Sequence, residues 1–217
     1  MATLTGQTIA SSYEQLLHVD RDGGGNGTTL VDVKDGDNGT TFALKLAQFH
    51  AEIRGTTGTG ATGAGKLNLS TAELTVVDND VLGRIDFIAP LESSGTDAIL
   101  AGASIWGEAE DTFAADNNST ALVFATNTSA SATERMRITS TGNVGIGGTP
   151  VAMHADYSLL QVGSTGTIFS QTASAANKSM FIGQNVFRHT DGTWDTIVED
   201  EQTLYEQNAG VHWFYSG

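Results

Sequence analysis

The chain has 217 residues, room for one or two domains, with 26 Gly, 2 Pro, no Cys and a formal net charge of −15. Charged residues make up only 16% and aromatics 7%. The mix is therefore not that of a helical protein, which would be rich in Leu, Glu, Lys and Arg. The missing Cys excludes a disulfide framework and a thiolate metal site, and the acidity repels phosphate backbones and argues against nucleic-acid binding.

Short apolar stretches separated by Gly, Asn, Asp and Thr recur along the chain and predict an all-β fold. Residues 10–17, "ASSYEQLL", read as the one helical turn, capped by Ser11 or Ser12. Leu17 and Val19 share a face of a first strand, and Val31 and Val33 share a face of the next. Phe42, Leu44 and Leu46 occupy even positions but Phe49 and Ile53 odd ones, which demands a bulge, bend or turn near Gln48. Further strands are expected in "ELTVV", "GRIDFIAP" and "DAILAGASIW" between residues 73 and 106. In the second of these, Ile85 and Phe87 face one way and Arg84 and Asp86 the other. "STALVFAT", "ERMRITS" and "NVGIG" follow between 119 and 147, then "SLLQVG", "TIFSQ", "SMFIGQNVFRH", "WDTIVED", "TLYEQ" and "VHWFYSG" to residue 217. No fixed-period repeat is visible. No stretch approaches a membrane span, and no basic and apolar leader opens the chain. Trp213, Phe214 and Tyr215 in the final strand are expected to be covered by another chain or, the reading favoured here, by a continuation of the second shaft module past Gly217.

Candidate sites weigh little. Residues 54–70, "RGTTGTGATGAGKLNLS", contain G-x-G-x-x-G at Gly58, Gly60 and Gly63, and G-x-x-x-x-G-K at Gly60, Gly65 and Lys66. A phosphate loop needs Ser or Thr after the Lys and a helix beyond; here Leu67 follows, then β-like alternation. The stretch reads as a turning loop. The acidic clusters at 20–27, 35–39 and 78–80 do not follow the twelve-residue calcium plan and read as hairpin turns, a weak calcium site between chains being the alternative. His18, His50, His154, His189 and His212 show no helical metal spacing. Glu108, Glu110 and Asp111 are the paired carboxylates a glycosidase would need, read here as a solvated turn. Sequons at Asn26, Asn38, Asn68, Asn117, Asn118, Asn127 and Asn177 follow from composition. No cofactor and no metal is expected.

Residues 132–150, "ATERMRITSTGNVGIGGTP", differ in kind. Met136 and Ile138 point one way, Arg135 and Arg137 the other; after the "STGN" turn, Val144 and Ile146 resume the apolar face opposite Gly145 and Gly147. A two-strand unit this thin buries no core by itself, so Met136, Ile138, Val144 and Ile146 are expected to meet their copies in neighbouring chains at a shared axis.

The segment resembles one found in bacteriophage tail-fibre and related virion proteins, where an E-x-M-R-I-x-S-x-G-N-V-G-I-G run recurs along the shaft. "GRIDFIAP", "GTDAILAGASIWGEAEDTF" and "NNSTALVFATNTSASATERMRI" upstream, and "SMFIGQNVF" and "VHWFYSG" downstream, are similar to that family. So is residues 4–47, which resembles the opening of marine phage fibres. The resemblance is best in 83–150 and covers most of the chain. It implies an elongated homotrimeric fibre of short-stranded β modules, of sandwich or intertwined β-prism or β-helix type. The expected parts are a virion-anchoring module (1–53), a Gly/Thr-rich linker (54–70), a shaft domain (71–150) and a second shaft module (151–217). The implied partners are two further copies, tail, baseplate or adaptor proteins at the N-terminal region, and a bacterial surface through a distal region outside these residues. Neither nucleic acid nor membrane insertion is implied. The expected role is structural and non-enzymatic, in the virion tail fibre, on a protein made in the host cytoplasm. The alternatives are a tailspike-like polysaccharide depolymerase and a capsid-attached fibre or decoration protein. Three chains of −15 would carry −45, which suits a spacer better than a binder of anionic surfaces.

Overall fold

The computed structural model describes residues 18–19, 29–34, 40–58, 60, 63–173 and 178–217. The helical turn expected at 10–17 and the acidic cluster at 35–39 lie outside these residues, as does the cluster at 20–27. The described chain is all-β, with helical content confined to short 3-10 turns such as Asp97–Ile99. It divides into two compact units, Met1–Asn68 and Leu69–Gly217.

The first unit holds an antiparallel four-stranded sheet of β1 (His18–Val19), β2 (Val31–Lys34), β3 (Thr41–Leu46) and β4 (Ala51–Ile53), in that order. The parity change near Gln48 is a hairpin turn: Ala47 donates its N–H to the His50 carbonyl at 2.8 Å, and Phe49 is exposed at the tip. Lys45 and Asp32, opposite each other on β3 and β2, form an ion pair. No α-helix follows Lys66, so backbone N–H groups do not converge as a phosphate loop requires. Gly65 is needed for a close approach: a Cβ there would lie 2.1 Å from the Ile53 carbonyl oxygen.

The second unit is built on one ten-stranded sheet. Its strands are β5 (Val81–Phe87), β6 (Ala103–Ala109), β7 (Thr120–Thr126), β8 (Thr133–Ile138), β9 (Val144–Ile146), β10 (Tyr157–Val162), β11 (Gly166–Gln171), β12 (Met180–Gln184), β15 (Thr203–Asn208) and β16 (Val211–Ser216). They lie side by side in chain order, interrupted only by the small hairpin of β13 (Phe187–Arg188) and β14 (Trp194–Asp195). Every pairing is antiparallel except β9 with β10. Residue 150 falls in the crossover between those two adjacent strands.

Several expectations are corrected. In "DAILAGASIW" the strand begins only at Ala103, Asp97–Ile99 forming a 3-10 turn, and "WDTIVED" pairs only over Trp194–Asp195. "ELTVV", 73–77, is not a strand: Asp80 accepts the Val77 N–H at 2.7 Å and donates its own to the Val77 carbonyl, closing a turn around Asn79 at φ 71°. Leu74 is fully exposed there. Arg135 is not in simple alternation: β8 bulges between Met136 and Glu134, and Arg135 has no partner across the ladder.

The core lies on one face of the sheet. Residues 147–156 cross over that face to allow the parallel β9–β10 pairing, and they carry Met153 into a cluster with Leu159, Phe169, Phe181 and Phe187. Phe169 and Phe181 stack at 4.8 Å, and Trp194 meets Phe181 edge-on at 5.3 Å. Buried polar side chains pin the covering loops. Asn185, fully buried, accepts from Val198 N–H and donates to the Asp200 carbonyl. Gln161 accepts the Val151 N–H, and Asn143 accepts that of Leu159. Gly145 is where the crossover returns onto the sheet: a Cβ there would sit 2.2 Å from the Gly148 carbonyl oxygen and 2.7 Å from Pro150 Cδ. Gly145→Ala is therefore expected to cost about 1–3 kcal/mol of stability through overpacking, read as a lowered denaturation midpoint. An unchanged midpoint would mean that the crossover does not press on this residue.

Candidate functional site: the uncharged face of the long sheet

Strand register fixes which side chains share a face. One row of cross-strand neighbours runs Leu122, Ile138, Val144, Leu160, Ile168, Ile182, Tyr205, Phe214, from β7 to β16. A second, two residues along, runs Ile85, Ile105, Phe124, Met136, Ile146, Val162, then Gly166, Gln184, Thr203 and Ser216. The four residues singled out from sequence fall in these rows. Met136 pairs with Ile146 and Ile138 with Val144, all on one face.

That face faces away from the core. Leu122 is 43% exposed, Ile146 41%, Val162 49% and Ile182 45%. Neither row contains an Asp, Glu, Lys or Arg. Apart from Arg135 at the bulge, every charged residue in the strands of this sheet lies in the rows between, on the opposite face: Arg84, Asp86, Glu108, Glu134, Arg137 and Glu206. A sheet with one solvated face normally shows water its polar residues and hides its apolar ones; here the hidden face holds the core together with the strand charges, and the outer face carries apolar, uncharged rows as well. Ten strands about 4.8 Å apart make this face about 45 Å long, well beyond the scattered apolar exposure of ordinary surfaces.

The charges on the opposite face are partly paired. Arg137 donates from Nη2 to Glu108 at 2.8 Å and to Glu134 at 2.7 Å, while Nε reaches Glu134 at 2.8 Å. Trp106 Nε1 donates to Glu108 at 2.9 Å. The Arg137 and Glu108 side chains are only 12% and 14% exposed. Hydrogen bonds to Glu134 raise the Arg137 pKa further above its ordinary value, against the opposing effect of burial, with Glu108 adding to the rise. Towards β5, Arg84 donates to Asp86 at 2.6 Å and to Ser104 Oγ at 2.8 Å. Ser104, first, and Arg84 then hold the Asp86 carboxyl below its usual range.

The other candidates resolve into structural roles. Glu108 is committed to Arg137 and Trp106, Glu110 accepts the Ser140 N–H at 2.7 Å, and Asp111 holds Thr112 N–H and Asn117. No bare carboxylate pair is formed by these three. His154 and His189 each lie beside the Asp two residues on, and His212 bonds the Tyr205 hydroxyl. Among the described residues no group of three or more His, Asp or Glu side chains is placed to hold a metal ion. No helix among them is long and apolar enough to cross a membrane. Sequence reasoning missed most of the face, because each row is assembled from strands far apart in the chain. The chain matches no family model and no curated protein.

Proposed function

We propose that this chain is a structural component of a phage virion, the proximal part of a trimeric tail fibre. Its role is to hold a distal host-recognition tip at a distance from the tail, without catalysis. One observation carries the assembly: a long, partly exposed sheet face with two cross-strand rows that hold no Asp, Glu, Lys or Arg, the strand charges other than Arg135 lying on the other side. Uncharged rows meeting across a shared axis remove apolar area from water at about 25 cal/mol per Å², with no ion desolvated. The occupant of the face is thus a second and a third copy, each presenting the same rows, as closed cyclic symmetry requires. The motif that resembles phage fibre shafts supplies Met136, Ile138, Val144 and Ile146, two residues to each row. Anchoring by the N-terminal region to tail, baseplate or adaptor proteins belongs to the same proposal.

The absence of Cys gives a clean test of the face. Ile146→Cys should cross-link under mild oxidation, because thiols beside a threefold axis approach within the ~7 Å Cα separation a disulfide allows. Two of three chains would pair and the third stay free, so denaturing gels should show dimer and monomer near two to one. Thr141→Cys, in an exposed turn, should not cross-link. Equal behaviour of the two would place the axis elsewhere. The virion role is tested by gold-labelled antibody against the chain, expected to decorate tails. Label on the capsid would make it a capsid fibre, and unlabelled virions would remove the proposal.

A further inference from the structure

Two stretches of the chain have unpaired backbones, and each matches the other. β5 is the end strand of the ten-stranded sheet, and among the described residues nothing bonds to its outer edge. An open edge is a template for another strand. Beyond the bulge at Leu82, β5 carries little protection: Val81–Phe87 contains no Pro and no Lys, and its two charges, Arg84 and Asp86, are paired with each other on the opposite face. Ile85 and Phe87 are exposed. The second stretch is residues 67–73, "LNLSTAE", as long as the seven-residue β5. They lie in no strand, and among the described residues their backbone makes one hydrogen bond, from the Glu73 N–H to Thr71 Oγ1 at 3.2 Å. Leu67 and Leu69 alternate with Asn68 and Ser70, which is the period of a strand. The two leucines are 66% and 44% exposed.

This stretch lies on the face that the trimeric reading turns towards other copies. Gly83 pairs with Gly107 and Gly107 with Leu122, so the two glycines continue the row of Leu122 and Ile138. A Cβ at Gly83 would lie 2.6 Å from both the Cβ and the carbonyl oxygen of Leu69. Leu69 therefore rests above the sheet, outside the plane of the ladder, and the stretch does not pair with β5 of its own chain. Just beyond it the chain is fixed at Val76, whose carbonyl accepts the Phe113 N–H at 3.0 Å. A second copy brought to this face carries the same open edge. We propose that residues 67–73 of one copy add as a strand to the outer edge of β5 in the next. Strand addition of this kind joins main-chain hydrogen bonds to an alternation of side chains, and a head-to-tail contact closes into a ring in a threefold assembly. The inference rests on the trimeric reading.

Hydrogen–deuterium exchange of the full chain, read by mass spectrometry, tests it. In assembled wild type the amides of 67–73 should exchange about a hundredfold more slowly than in a free peptide of the same sequence. In Ile138→Asp, expected to be monomeric, they should exchange at the free-peptide rate. Proline variants give a second reading. Adjacent N–H groups of a strand point to opposite edges, so one of Asn68→Pro and Leu69→Pro deletes a bond of the added ladder. That variant should speed exchange in 81–87 about tenfold with the trimer mass retained. Trimers whose 67–73 amides exchange at the free-peptide rate would overturn this inference alone, as would unchanged exchange in 81–87 in both proline variants. Protection that persists in folded monomers would mean that the stretch pairs within its own chain, and would overturn it too. A wild-type chain that is monomeric by light scattering would remove the trimeric reading as well.

Discussion

Ile138→Asp is expected to turn the assembled chain into folded monomers. Ile138 lies in the row that runs from Leu122 to Phe214 on the outer face, between Leu122 and Val144. In an assembly with that face at the axis, the variant brings three carboxylates together in a site that holds no cation. Each would be desolvated at a cost of several kcal/mol and would repel its two neighbours. Within one chain the same side chain is only partly buried and can reach water, so the fold itself should lose less than the assembly. Light scattering and far-UV circular dichroism separate the two effects. Trimers of normal stability in the variant would mean that the face does not meet its copies.

Arg137→Ala acts on the opposite face and through another mechanism. It leaves Glu108 and Glu134 side by side, the first almost buried, without their shared counter-charge. Breaking a buried pair by removing one partner typically costs about 3–5 kcal/mol. The denaturation midpoint should fall accordingly, whatever the oligomeric state. Adding Glu108→Gln and Glu134→Gln to Arg137→Met should recover much of the loss, because the penalty comes from unpaired charge rather than from missing attraction. A loss below about 1 kcal/mol in Arg137→Ala would be the behaviour of a screened surface pair.

The two variants separate the two faces of a sheet whose sides were partly legible in the sequence. Alternation placed Ile85 and Phe87 against Arg84 and Asp86, and grouped Met136, Ile138, Val144 and Ile146, because a strand's period is local. It could not show that these residues continue into Leu160, Ile168 and Ile182, because those rows depend on pairing between strands far apart in sequence. The parallel step from β9 to β10 comes with a close approach of Gly148 and Pro150 to Gly145 that leaves no room for a Cβ, a tertiary event with no periodic signal. "ELTVV" alternates like a strand but gives way to a turn held by Asp80, local hydrogen bonding winning over β propensity. "WDTIVED" pairs over only two residues, because Asn185 holds Val198 and Asp200 by their backbone.

The assembly is tested most directly by the solution mass of the purified chain. Light scattering at neutral pH should return three times 22.6 kDa, unchanged on dilution through the micromolar range and lost in Ile138→Asp. A folded species of 22.6 kDa would leave the uncharged face bare in water and contradict the account.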